Sequence, residues 1–134
     1  MKNNLNLFGG GYLDNDYITS LCVQWSLEFT KNDIIKYVCE AEDLPIEIRR
    51  KINKMYVREL NNVNERTIKD YDFVEQMNHI YVISKIIILN KDIPDFIEVI
   101  HAYSNENDLD FTDFLDITNE LYYSSIELSS KYWK

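Results

Sequence analysis

Glycine is nearly absent from this sequence, and its three copies are consecutive: Gly9, Gly10 and Gly11. The 134 residues also hold only two prolines, two cysteines, two histidines and two alanines. These scarcities exclude several chemistries. A phosphate loop needs spaced glycines followed by a helix-borne lysine, and the triplet has neither. It reads as a turn. Cys22 and Cys39 make no disulfide framework and no metal cluster. Their apolar surroundings suit buried, reduced thiols. Residues 1–11 carry one Lys and no continuous apolar run, which is not the pattern of a secretory signal. The most apolar window, residues 80–89, is far short of the roughly 20 residues that a membrane span requires. The expectation is a soluble cytoplasmic protein.

Other residues are plentiful. The 14 Asn, 17 Ile and 10 Tyr use AT-rich codons, as in the low-GC gene of a bacterium or a mobile element. Hydrophobic residues are 46% and charged residues 28%, enough for one domain with a real core. Their spacing is helical. Ile18, Leu21, Cys22, Trp25 and Phe29 share one helix face from about Asp14 to Asp16 onward. Thr30-Lys31-Asn32-Asp33 has the form of a capping box for a second helix through Ile34, Ile35 and Val38. Pro45 suits the first turn of a third, with Ile48, Ile52, Met55 and Tyr56 inside. Asn61-Asn62-Val63-Asn64 reads as a loop.

Thr67-Ile68-Lys69-Asp70 has the form of a second capping box. The long helix after it buries Phe73, Val74, Met77, Ile80, Tyr81 and Ser84. Its second half is β-branched, so residues 80–89 leave a strand as an alternative. Asp92 and Pro94 end that helix and open a short one through Phe96, Ile97 and Ile100. Residues 104–108 read as a loop, and residues 110–132 as a final helix. The expected fold is all-α: a compact, single-domain bundle of about six helices over residues 14–134, after an N-terminal extended segment, residues 1–13.

Charge is unevenly spread. Lys plus Arg is 14 against 23 Asp plus Glu, a formal charge of −9. Such a balance repels nucleic acid and anionic membranes and attracts basic partners. Residues 92–130 contain ten acids and no Lys or Arg, whereas residues 49–69 contain seven basic residues and two acids. On the final helix, Asp113, Asp116, Glu120, Tyr123 and Glu127 fall within roughly 80° of arc, opposite the apolar stripe. Glu106, Asp108 and Asp110 extend the same field from the loop before it. Like-charged neighbours on a helix repel by a few tenths of a kcal/mol per pair, so the row invites a reason. A row of Lys and Arg on a partner is one reason. A plain solvated face is another, as is contact with the chain's own basic residues Arg50, Lys51, Lys54 and Arg58.

Other chemistry is thinner. Glu98-x-x-His101 has a metal-site spacing but lacks the second copy such sites need, and Glu75-x-x-x-His79 is spaced differently. Ser124, Ser125, Ser129 and Ser130 have no nucleophile motif around them. Trp133 either packs the last turn onto the domain or forms an exposed interface tail. The basic residues 49–58 lack a helix-turn-helix pattern.

In size, low-GC composition, negative charge and the stripe Asp113, Asp116, Glu120, Tyr123 and Glu127, the chain resembles the small acidic helical immunity proteins that bacteria carry beside nuclease toxins. These include the immunity proteins of colicin and contact-dependent inhibition systems. The resemblance implies a one-to-one inhibitor that covers a toxin's active site or an adjacent surface. The expected partner is a basic protein, the cognate toxin. Its contacts would be Asp108, Asp110, Asp113, Asp116, Glu120, Tyr123 and Glu127, with no catalytic residue, metal or cofactor. The alternatives are a phage-encoded nucleic-acid mimic that inhibits a host defence protein, and a regulatory helical scaffold module.

Overall fold

The most apolar stretch of the chain, residues 80–89, is helical and largely buried, with Leu89 exposed near its end. The computed structural model describes residues 33–68 and 72–134, together with Ser20 and Gln24, two exposed positions in helical conformation. Outside the described residues lie the expected segment 1–13 with the glycine triplet, the apolar face carrying Cys22 and Trp25, Thr30, and the side chain of Phe73. The described residues form five α-helices: α1 (Ile34–Glu40), α2 (Ile46–Arg66), α3 (Asp72–Asn90), α4 (Pro94–Glu106) and α5 (Phe111–Ser129). A 3-10 turn, Ser130–Tyr132, follows. Among the described residues there is no strand, only an isolated bridge between Thr67 and Trp133.

α3 is the centre. Met77, Ile80, Val82, Ile83, Ile86 and Ile87 point in many directions around the helix, and none is more than 2% exposed. A helix that is apolar all round must be enclosed. Each β-branched residue costs a few tenths of a kcal/mol in helix propensity. Burying its side chain returns roughly 1.5–3 kcal/mol and outweighs that cost; residues 80–89 are helix and not strand. The polar groups on α3 are satisfied locally: Ser84 Oγ donates to the Ile80 carbonyl at 2.6 Å, and Asn90 Nδ2 to the Ile86 carbonyl at 2.7 Å. α3 packs most extensively on α5 and then on α2; α1 lies against α2 and α4, and α4 against α5. These contacts close a circuit. One hydrophobic cluster draws on all five helices, with Ile34, Ile52, Ile80, Phe96 and Phe114 among its members.

Several boundaries differ from the expected ones. α1 is capped by Asp33 itself, which adopts φ 47° and accepts from the Lys36 amide at 3.2 Å. Asp tolerates this left-handed conformation and is a good cap, so the helix starts three residues later than a Thr30 cap implies. Asn61-Asn62-Val63-Asn64 is not a loop but the continuation of α2. Val63, 1% exposed, prolongs the face of Ile52, Met55 and Tyr56. The three asparagines stay in solvent. Their combined propensity cost is offset by the burial of one valine.

Thr67 does not cap α3. Its hydroxyl donates to the Val63 carbonyl at 2.7 Å and accepts from Asn78 Nδ2 at 2.8 Å, so it closes α2. Residues 104–106 belong to α4 and not to a loop. The helix then ends in a Schellman turn, in which Asp108 takes φ 56° and the Leu109 amide donates to the Ser104 carbonyl at 2.8 Å.

Trp133 is packed, not free. Its Nε1 donates to Asn78 Oδ1 at 3.1 Å, its ring meets Tyr81, and the Arg66 guanidinium lies 4.5 Å above it. The backbone is tied in as well: Ile68 N donates to Tyr132 O at 2.7 Å and Lys134 N to Arg66 O at 2.8 Å. Trp133→Ala is expected to lower unfolding free energy by about 2 kcal/mol, read by urea denaturation. Unchanged stability would mean that the anchor is nominal.

Candidate protein-docking surface

α5 is built to face two ways. Phe114, Thr118, Leu121, Ser125 and Leu128 are buried on one side. Asp113, Asp116, Tyr123 and Glu127 are exposed on the other, and Glu120 is half-buried at its edge. The expected row is thus on one helix face, and the acids preceding it lead into the same end of α5. Their local roles differ. Asp108 is the left-handed residue of the α4 end. Asp110 is the N-cap of α5 and accepts from the Asp113 amide at 3.0 Å. Asp113 sits in the first turn, where a negative charge complements the helix dipole. These three acids therefore have structural uses that the spacing argument did not assign to them. No such use attaches to Asp116, Tyr123 and Glu127.

Among the described residues no Lys or Arg forms an ion pair with the row. Among the described residues the ion pairs both converge on Glu59, from Arg58 at 4.0 Å and Lys85 at 2.9 Å. Arg50, Lys51 and Lys54 are exposed on α2. Glu120 is under particular stress. Its Oε1 is shut off from solvent without a hydrogen-bond partner, and burial holds its carboxyl above the ordinary range.

A second acidic feature is invisible in the linear sequence. A cleft of about 530 Å³ between α1, the α1–α2 turn and α4 is lined by Glu40, Glu42, Asp43, Asp95 and Glu98, with Val99 and Ala102 among its apolar walls. Tyr37, also in its lining, donates its hydroxyl to Glu106. That bond, and then burial, push the Tyr37 phenol up to about 12. The signal available beforehand was the run Glu40, Glu42 and Asp43; its convergence with α4 depends on the helix circuit.

The remaining candidates stay apart. His101 is exposed and lies against Phe111, with ring centroids 4.5 Å apart. Among the described residues no group of His, Cys, Asp and Glu is arranged to hold a metal ion. His79 is half-buried against Tyr56, and burial holds its imidazole below the ordinary value despite the attraction of Asp33. Burial pushes the Cys39 thiol up, away from a reactive thiolate. No described helix is long and apolar enough to cross a membrane. Comparison with known proteins finds no matching family model, curated protein or solved structure.

Two pH effects follow. The folded-state pKa of Glu120 is raised above its ordinary 4.5, so its contribution favours folding in acid and is lost as pH rises. Glu120→Gln is expected to be more stable than the parent at pH 7, with the gap closing below pH ~4, read by urea denaturation. For His79 the folded-state pKa lies below 6.5, so stability present above that value is lost as pH falls. His79→Asn is expected to flatten the acid limb of the same curve.

Proposed function

We propose that this chain is an acidic protein-binding inhibitor of the immunity type. It docks the outer face of α5 onto a basic protein, a nuclease-type toxin, and blocks substrate entry. The supporting observation is the exposed row Asp116, Tyr123 and Glu127, flanked by Asp113 and Glu120, with no Lys or Arg of the described chain paired to it. Mechanistically the inhibition is steric and electrostatic. The carboxylates occupy the cationic surface that the toxin keeps for a polyanion. Long-range attraction raises the association rate, and salt screens it. Tyr123, 69% exposed, adds amphipathic contact area at the centre of the row.

The test begins with capture of a stoichiometric partner from host lysate at low salt, followed by assay of the partner's nuclease activity with and without the chain. Inhibition at a one-to-one ratio, with association slowing steeply as salt rises, is the expected result. The fourfold variant Asp113→Asn, Asp116→Asn, Glu120→Gln, Glu127→Gln should weaken the complex by at least tenfold, because truncating a desolvated interface charge costs about 2 kcal/mol or more. An undiminished complex would overturn the reading.

A further inference from the structure

Tyr123 stands at the end of a continuous array of aromatic rings. Its ring meets Tyr122 edge-on with centroids 5.2 Å apart, Tyr122 stacks on Tyr81 at 5.6 Å, and Tyr81 meets Trp133 at 5.2 Å. The inner end of the array is fixed by the hydrogen bond from Trp133 to Asn78, which is 1% exposed. An exposed tyrosine on a helix ordinarily loses rotamer freedom on binding. Here the neighbouring ring restricts Tyr123 beforehand, while 69% of its surface remains open to a ligand.

The surroundings of that ring select the ligand. Glu120 and Glu127 are its i−3 and i+4 neighbours, about 5–6 Å away between Cβ atoms. A ring with one glutamate a turn before it, half-buried at Glu120, and another exposed a turn after it at Glu127 fits a planar cation that can stack and donate in a fork at once. A guanidinium does both. An ammonium is a compact, strongly hydrated point charge and forfeits the stacking. The chain makes cation–ring contacts of both kinds within itself, the Arg66 guanidinium 4.5 Å over Trp133 and, farther from its ring, the Lys85 ammonium 5.4 Å over Tyr81.

We infer that Tyr123, with Glu120 and Glu127, is a socket for an arginine side chain of the partner protein. The inference rests on the docking surface proposed above and narrows it: the partner presents arginine, and not merely positive charge, to the middle of α5. Stacking on the ring supplies selectivity, and the carboxylates supply attraction.

The experiment titrates the full-length chain with hexa-arginine and hexa-lysine peptides of equal charge, following α5 amide signals by NMR. Both peptides are expected to shift signals around residues 116–127. Hexa-arginine should bind about threefold to fivefold more tightly, the yield of one exposed cation–π contact. Tyr123→Leu should bring the two peptides to parity by weakening hexa-arginine more than hexa-lysine, and Tyr123→Phe should keep the preference. Circular dichroism verifies that each variant folds. Parity in the parent chain, or a preference that survives Tyr123→Leu, overturns the socket and leaves the acidic docking face standing. No α5 shift with either peptide overturns both.

Discussion

Enclosure of α3 is the constraint from which the other features follow. A helix with apolar residues on all sides can be stabilised only by neighbours on all sides. α5 and α2 lie against it, and α1 and α4 complete the circuit. Charge is thereby expelled to the outer faces. Lys85, the exception on α3, is half-buried and bonded to Glu59 on α2 at 2.9 Å. Burial opposes its charge, but hydrogen bonds to Glu59 and Tyr81 outweigh the penalty and its pKa is raised. The pair couples two helices where an isolated ammonium would not be tolerated.

Helical class was legible because the apolar period near 3.6 persists through α2 and α5. Boundaries were not, and the reasons are specific. Asn61, Asn62 and Asn64 have loop propensity, but the position of Val63 on the inner face outweighs it. Thr67 and Asp33 both sit in capping-box motifs, yet a Thr hydroxyl can equally well bond backward to the carbonyl four residues before it. Local sequence does not distinguish these uses; Asn78 and Trp133, distant in sequence, decide for Thr67. The acidic face of α5 was legible from spacing alone. The cleft between α1 and α4 was not, because its carboxylates converge only when helices far apart in sequence meet.

The acids of the C-terminal half divide by what they do. Asp108, Asp110 and Asp113 serve the junction between α4 and α5: one takes the left-handed position, one caps, and one meets the helix dipole. Farther along α5 the carboxylates have no such local duty, and they share the outer face with Tyr123, the exposed end of the aromatic array. The docking chemistry proposed for this chain therefore lies in the middle of a helix, on a rigid element, and not on a loop.

The buried side of α5 carries Thr118 and Ser125, whose hydroxyls donate back to Phe114 and Tyr122 carbonyls at 2.7 and 2.9 Å. With their polarity consumed inside the helix, these residues pack as small spacers and hold α5 close to its neighbours. The roll of the helix about its axis is thus set by residues on the inward half alone. Substitutions on the outward half usually perturb stability by about 0.5 kcal/mol or less. One outward residue after another can therefore be exchanged while the inward half preserves the scaffold unchanged.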